Sequence, residues 1–79
     1  MSEMTHSKTQ QFQRNVAKLC EGYGRSSQIA EAAGIRREHL YKIATGQTVP
    51  GLDIALQISE AVEIPLADLL EKEVIPEKV

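Results

Sequence analysis

Arg37, Glu38, Tyr41 and Lys42 fall within six residues and gather four kinds of hydrogen-bonding group. A guanidinium offers a planar fork of donors and an ammonium a point charge. A carboxylate only accepts, and a phenol does both beside an apolar ring edge. Such a set reads polar edges. Around it stand Arg25, Ser26, Ser27, Gln28, Arg36, His39 and Thr45, whose cations, hydroxyls, amide and imidazole suit anionic oxygens. Bond-breaking chemistry has less to work with. No second histidine neighbours His39, Cys20 falls on a different apolar face, and a metal site needs three or four ligands. No Ser/His/Asp set, phosphate loop or carboxylate pair flanking a cleft can be assembled, so neither an enzyme, a metal nor a cofactor is expected. Single-stranded nucleic acid is disfavoured too. Phe12 belongs to a core stripe, and Tyr23 and Tyr41 alone make no stacking platform.

The chain has 79 residues, 42% hydrophobic and 25% charged, with a net charge of −2. A chain of that size buries roughly 60–65% of its unfolded surface, enough for one modest core and no deep cleft. The longest apolar run, Ile54-Ala55-Leu56, is far short of the ~18–20 residues that span a membrane. Residues 1–15 lack the apolar stretch of a signal peptide, and a single cysteine excludes an internal disulfide. A cytoplasmic protein is expected. The charge is unevenly spread. Residues 8–47 carry seven Lys and Arg against three acids, whereas residues 48–79 carry two against seven. That asymmetry fits one face for a polyanion and another turned away from it.

Those side chains must be carried by helices, because every periodic segment has helical spacing. Phe12, Val16, Leu19 and Cys20 predict a first helix, with Ser7 and Gln10 as a capping box at its start and Gly22 and Gly24 ending it. A second covers Ser26 to Ala33, with a serine as N-cap and Gly34 as its stop. A third covers Arg37 to Thr45, with Leu40, Ile43 and Ala44 inward. After Pro50-Gly51, a fourth presents Leu52, Ala55, Leu56, Ser59 and Val62 inward. Ile54, Ile58 and Ala61 make it apolar on a second side, so it is expected to be the central, most buried helix. Pro65 opens a fifth with Leu66, Leu69 and Leu70. The expected division is a flexible N-terminus over 1–7, a helical domain over 8–70, and a tail over 71–79 that orders only against a partner.

Residues 28–50 have the skeleton of a helix-turn-helix: a helix ending Ala-x-x-x-Gly, a tight turn and a second helix of about nine residues. Ala30 must be small where the helices cross. Gly34 turns the chain at positive φ, Ile35 plugs the angle, and Leu40 and Ile43 anchor the second helix. Arg37, Glu38, Tyr41, Lys42 and Thr45 are left outward, Arg37 and Lys42 on one side. On such a helix Arg37 and Lys42 suit guanine O6 and N7 and Glu38 suits cytosine N4, the alternative being a solvated helix face with local ion pairs. Tyr41 has a thymine methyl, a phosphate or the helix surface itself as alternatives.

The sequence resembles the Cro/C1-type, lambda-repressor-like family. Ile29-Ala30, Gly34-Ile35, Leu40, Ile43 and Thr45-Gly46 stand where that family has its motif, and Pro50-Gly51-Leu52-Asp53 resembles its opening of helix four. Ile58 through Leu70 resembles its close, so the likeness covers residues 12–70. Arg25 to Gln28 replace the usual Thr-Gln-Glu, Arg36 a Ser or Thr cap, and Glu63 a glycine. The resemblance implies an all-α, five-helix domain that binds duplex DNA at a palindromic operator as a homodimer, most simply a repressor. It implies base reading by Arg37, Glu38, Tyr41 and Lys42. Phosphate contacts would come from Arg25, Ser26, Ser27, Gln28, Arg36, His39 and Thr45. The expected dimer surface is Leu66, Leu69, Leu70, Val74 and Ile75. The run Arg37 to Lys42 also resembles the recognition helix of addiction-module antidotes, so the alternative is an antitoxin or adaptor with a toxin or other protein as main partner.

Overall fold

The computed structural model describes the backbone of residues 2–74 and the side chains of residues 8–74. Five helices and no strand occur among them: α1 Ser2–Leu19, α2 Arg25–Ala33, α3 Arg37–Ala44, α4 Leu52–Val62 and α5 Leu66–Glu71. The expected all-α, five-helix architecture is what forms. Helix α1 packs on α3 and α5, α2 on α3 and α4, and α4 on α5. One core unites them, from Phe12, Val16 and Leu19 on α1 through Leu40 and Ile43 on α3 to Ile58 and Leu69. Each large aliphatic side chain there contributes roughly 1.5–3 kcal/mol by leaving water.

The turn of the motif is built as its residues require. Gly34 sits at φ 75°, and the N–H groups of Gly34 and Ile35 donate to the carbonyls of Glu31 (3.2 Å) and Ala30 (3.0 Å). These bonds satisfy the open carbonyls at the end of α2 and set the angle at which α3 departs. Glu63 ends α4 by the same device. It holds φ 60°, and Glu63 and Ile64 donate to Glu60 (3.3 Å) and Ser59 (3.1 Å). The turn before Pro65 therefore forms without the family's glycine, but in a conformation that a β-carbon resists by roughly 1–2 kcal/mol. Glu63→Gly should raise stability by about 0.5–1 kcal/mol, the relief being partly offset by a more flexible unfolded chain. Urea denaturation checks it, and an unchanged or lower midpoint would contradict it.

The structure corrects several expectations. Helix α1 begins at Ser2, so Ser7 and Gln10 lie inside the helix and do not cap its start. Helix α2 begins at Arg25 with Gly24 as N-cap, and neither serine fills that role. Cys20 lies just past the end of α1 and is half-buried. Helix α4 turns Ala55, Ile58 and Ser59 to the core, while Leu52 and Leu56 remain 69% and 41% exposed. With both sides apolar, its packing against α2 and α5 decides which is buried. Leu69 is fully buried, so it cannot belong to a dimer surface. Leu66, Leu70 and Val74 are half-buried against the core, and Ile75 lies outside the described residues. The start of the tail needs no partner chain to hold it, since Asn15 bonds the backbone at Lys72 and Val74.

Candidate nucleic-acid interface

Helix α3 is held from beneath by Leu40 and Ile43, both fully buried, which leaves its opposite side to solvent. At 100° per residue, Glu38 and Thr45 lie near the middle of that side, Tyr41 and Arg37 toward the flank nearest α2, and Lys42 and His39 toward the other. Glu38, Tyr41, Lys42 and Arg37 are exposed, whereas His39 is half-buried. Arg37 and Lys42 are thus separated by 140° of ideal helix and do not share a side, contrary to the sequence expectation.

A groove of about 300 Å³ runs between the end of α1, the start of α2 and α3, lined by Cys20, Ser26, Arg37, Glu38, Tyr41 and Ala44. Three of the four base-reading candidates therefore share one concave edge. Across the turn, Arg37 Nη1 donates to Ser27 Oγ at 3.0 Å, joining the first residue of α3 to the first turn of α2. That bond uses one of five guanidinium donors and leaves the rest of the fork free. Ser27, expected at a phosphate, also positions Arg37: its oxygen accepts from the guanidinium and its hydroxyl keeps a proton to donate.

Neither helix of the motif has a side-chain cap. Gly24 and Arg36 are the N-caps of α2 and α3, and neither makes a side-chain capping bond. First-turn N–H groups left this way are suited to an incoming anion. Arg25 and Gln28 line a different groove, with Leu19, Ile29, Ala32, Ala61 and Val62, on the α4 side of α2. Their groove lies on the other side of α2 from the one that Ser26 and Arg37 line. The Thr45 hydroxyl donates to the Tyr41 carbonyl at 2.9 Å and accepts from Gln47 at 3.0 Å, so its proton closes the end of α3 and is not available to a phosphate.

Two contributions escaped the sequence reading. Gln13 on α1 donates to the Thr48 carbonyl at 2.8 Å and fixes the loop leaving α3. Gln47 braces Thr45 from that loop. Gln13 and Asn15 border the Phe12–Val16 stripe closely enough to be buried, which is the one signal that marked them. The Cys20 thiol is pushed up by burial, an effect that nearby Arg25 only partly opposes. It stays protonated at neutral pH and is a poor nucleophile. Among the described residues, no cluster of His, Cys, Asp or Glu is arranged to hold a metal, and no helix is long and apolar enough to cross a membrane.

Comparison with known proteins agrees with this geometry. Residues 16–69 match the helix-turn-helix family model. Over 46 residues the chain is 41% identical to a protein of Methanocaldococcus jannaschii named as a candidate HTH-type transcriptional regulatory protein. The match covers 54% of this chain but only 14% of that relative. No solved structure matches the chain.

Proposed function

Because the chain belongs to the Cro/C1-type helix-turn-helix family of DNA-binding transcription regulators, we propose that it is a sequence-specific repressor that binds a palindromic duplex operator as a homodimer. Arg37 carries the reading. It stands at the N-terminal end of α3, braced by Ser27, beside exposed Glu38 and Tyr41. In this reading Arg37 and Glu38 meet base edges, and Tyr41 and Lys42 meet a base or the groove wall. Arg25, Arg36, Ser26 and the uncapped helix starts hold phosphates, with Gln28 and His39 at the margins. A single reading helix spans too few base pairs for specificity in a genome, which is the reason for two copies on half-sites about 34 Å apart.

The experiment begins with selection of bound sites from a random duplex pool. Arg37→Ala is then titrated against the selected duplex and its single-base variants. The variant should lose about 1–3 kcal/mol on the selected site and relax preference at one position per half-site. Arg36→Ala, by contrast, should weaken all the duplexes equally. Equal losses on every duplex for Arg37→Ala would overturn its reading role.

A further inference from the structure

Tyr23 is completely exposed, at 106%, more so than any other large hydrophobic side chain among the described residues. The turn that carries it is nevertheless closely built. The Arg25 N–H donates to the Gly22 carbonyl at 3.3 Å, closing a turn over residues 22–25. Gly24 holds φ 76° and ψ −2°, the values of the third residue of a type II turn, which calls for glycine. Gly22 holds φ 104°, and a β-carbon there would lie 3.0 Å from Arg25 Cγ, so the stem of Arg25 crosses Gly22 closely. Tyr23 thus takes the outer corner of a fixed turn, with its ring and hydroxyl in water. The turn also has a defined place. It joins Cys20 to Ser26, and both of these line the groove that holds Arg37, Glu38 and Tyr41. Tyr23 is midway between them, three residues from either, which is no more than about 11 Å of chain.

We propose that Tyr23 is a further DNA-contact residue: its hydroxyl donates to a phosphate of the duplex and its ring lies against the neighbouring deoxyribose. This rests on the DNA-binding reading above and extends the interface from the two motif helices to the turn before them. With α3 in a major groove about 12 Å wide, a group this close to the reading edge but carried by another element meets the sugar–phosphate wall, not the bases. A phenol suits that wall, since its hydroxyl donates to anionic oxygen and its ring covers apolar sugar. Arg25, packed on the same turn, brings a cation to the same wall, and the nearest acid in sequence, Glu21, precedes the turn. An aromatic side chain at this corner gains nothing from folding, because it buries no area within the chain. A phosphate gives it a partner without reshaping the turn, whose glycines and closing bond already fix it.

The test is titration of the wild type, Tyr23→Phe and Tyr23→Ala against the selected duplex and its single-base variants at a series of salt concentrations, beside Arg25→Ala. Because Tyr23 is fully exposed, neither change should move the thermal midpoint. Each should weaken binding about 10-fold, equally on every duplex. The slope of log affinity against log salt should stay that of the wild type, since a phenol releases no counterion, whereas Arg25→Ala should make it shallower. In the wild type, the duplex should also protect Tyr23 from nitration by tetranitromethane, read on its own tryptic peptide, separate from that of Tyr41. A Tyr23→Ala variant that binds within about twofold of the wild type would overturn the contact, as would a Tyr23 nitrated as fast on the duplex as free. Wild-type affinity for Tyr23→Phe would overturn the hydroxyl's bond, and a loss confined to one base pair would make Tyr23 a reader of sequence instead. In each of those cases a loss for Arg37→Ala on the selected site leaves the DNA-binding reading standing. A wild type that binds no duplex at low salt would overturn both.

Discussion

Asn15→Ala should lower the unfolding free energy by about 2–4 kcal/mol, among the largest single losses available in a chain of this size. Asn15 is fully buried, and its amide is used at both ends. Nδ2 donates to the carbonyls of Leu69 and Lys72, both at 2.8 Å, and Oδ1 accepts from the Val74 N–H at 2.9 Å and from Gln11 at 3.2 Å. One side chain thus satisfies carbonyls at the end of α5 and ties the following residues to α1. Alanine removes the partner of the buried Leu69 carbonyl and the tie to the part-buried backbone at Lys72 and Val74. Asn15→Leu fills the space without restoring the bonds, so it should lose about as much as alanine does. Urea denaturation of both variants separates the causes. A loss below about 0.5 kcal/mol for alanine, or a leucine variant as stable as wild type, would mean that these bonds contribute little.

Salt bridges add a weaker clasp in the same place. Lys18 pairs with Glu73 and Lys8 with Glu71 (3.0 Å), both across the α1–tail contact. The Lys18 ammonium, bonded to the Glu73 carboxylate, holds it below the usual carboxylate range. Pairs this exposed contribute little to stability. Asn15, shielded from water, carries the attachment.

The parts of the fold that were legible in sequence are those where a single physical requirement picks the residue. Gly34 is needed for the positive φ, Ala30 for the close crossing, and Leu40 and Ile43 for the one apolar side of α3. All of them stand where expected. The start of α1 was not legible, because residues 2–11 have no apolar stripe to mark a helix. Helix α4 defeated the pattern for the opposite reason: Leu52 and Leu56 on one side and Ile54, Ile58 and Ala61 on the other are equally good core faces, and only the arrangement of α2 and α5 decides. Helix α5 is six residues long and carries three leucines, of which Leu69 alone reaches the centre. The candidate site was legible residue by residue on α3 but not in its cross-links. The Arg37–Ser27 bond depends on the angle between two helices, and the Thr45 hydroxyl on a local choice between backbone and ligand, neither of which a spacing encodes.

The central claim is that α3 and the starts of the two motif helices engage duplex DNA, and its most direct test is the salt dependence of binding. In the proposed complex Arg25, Arg36, Arg37 and Lys42 of each copy meet phosphate or base, and two copies should neutralise roughly 4–8 phosphates in all. Each phosphate contributes about −0.9 to the slope of log affinity against log salt, so the slope should fall between about −4 and −7. Affinity for the selected duplex should then drop about 10²–10⁴-fold from 50 to 200 mM salt. The measurement is a titration of the wild type at a series of salt concentrations, by fluorescence anisotropy on the selected duplex. A steep linear fall is the expected result. A flat response, or no binding to any duplex at low salt, would contradict it.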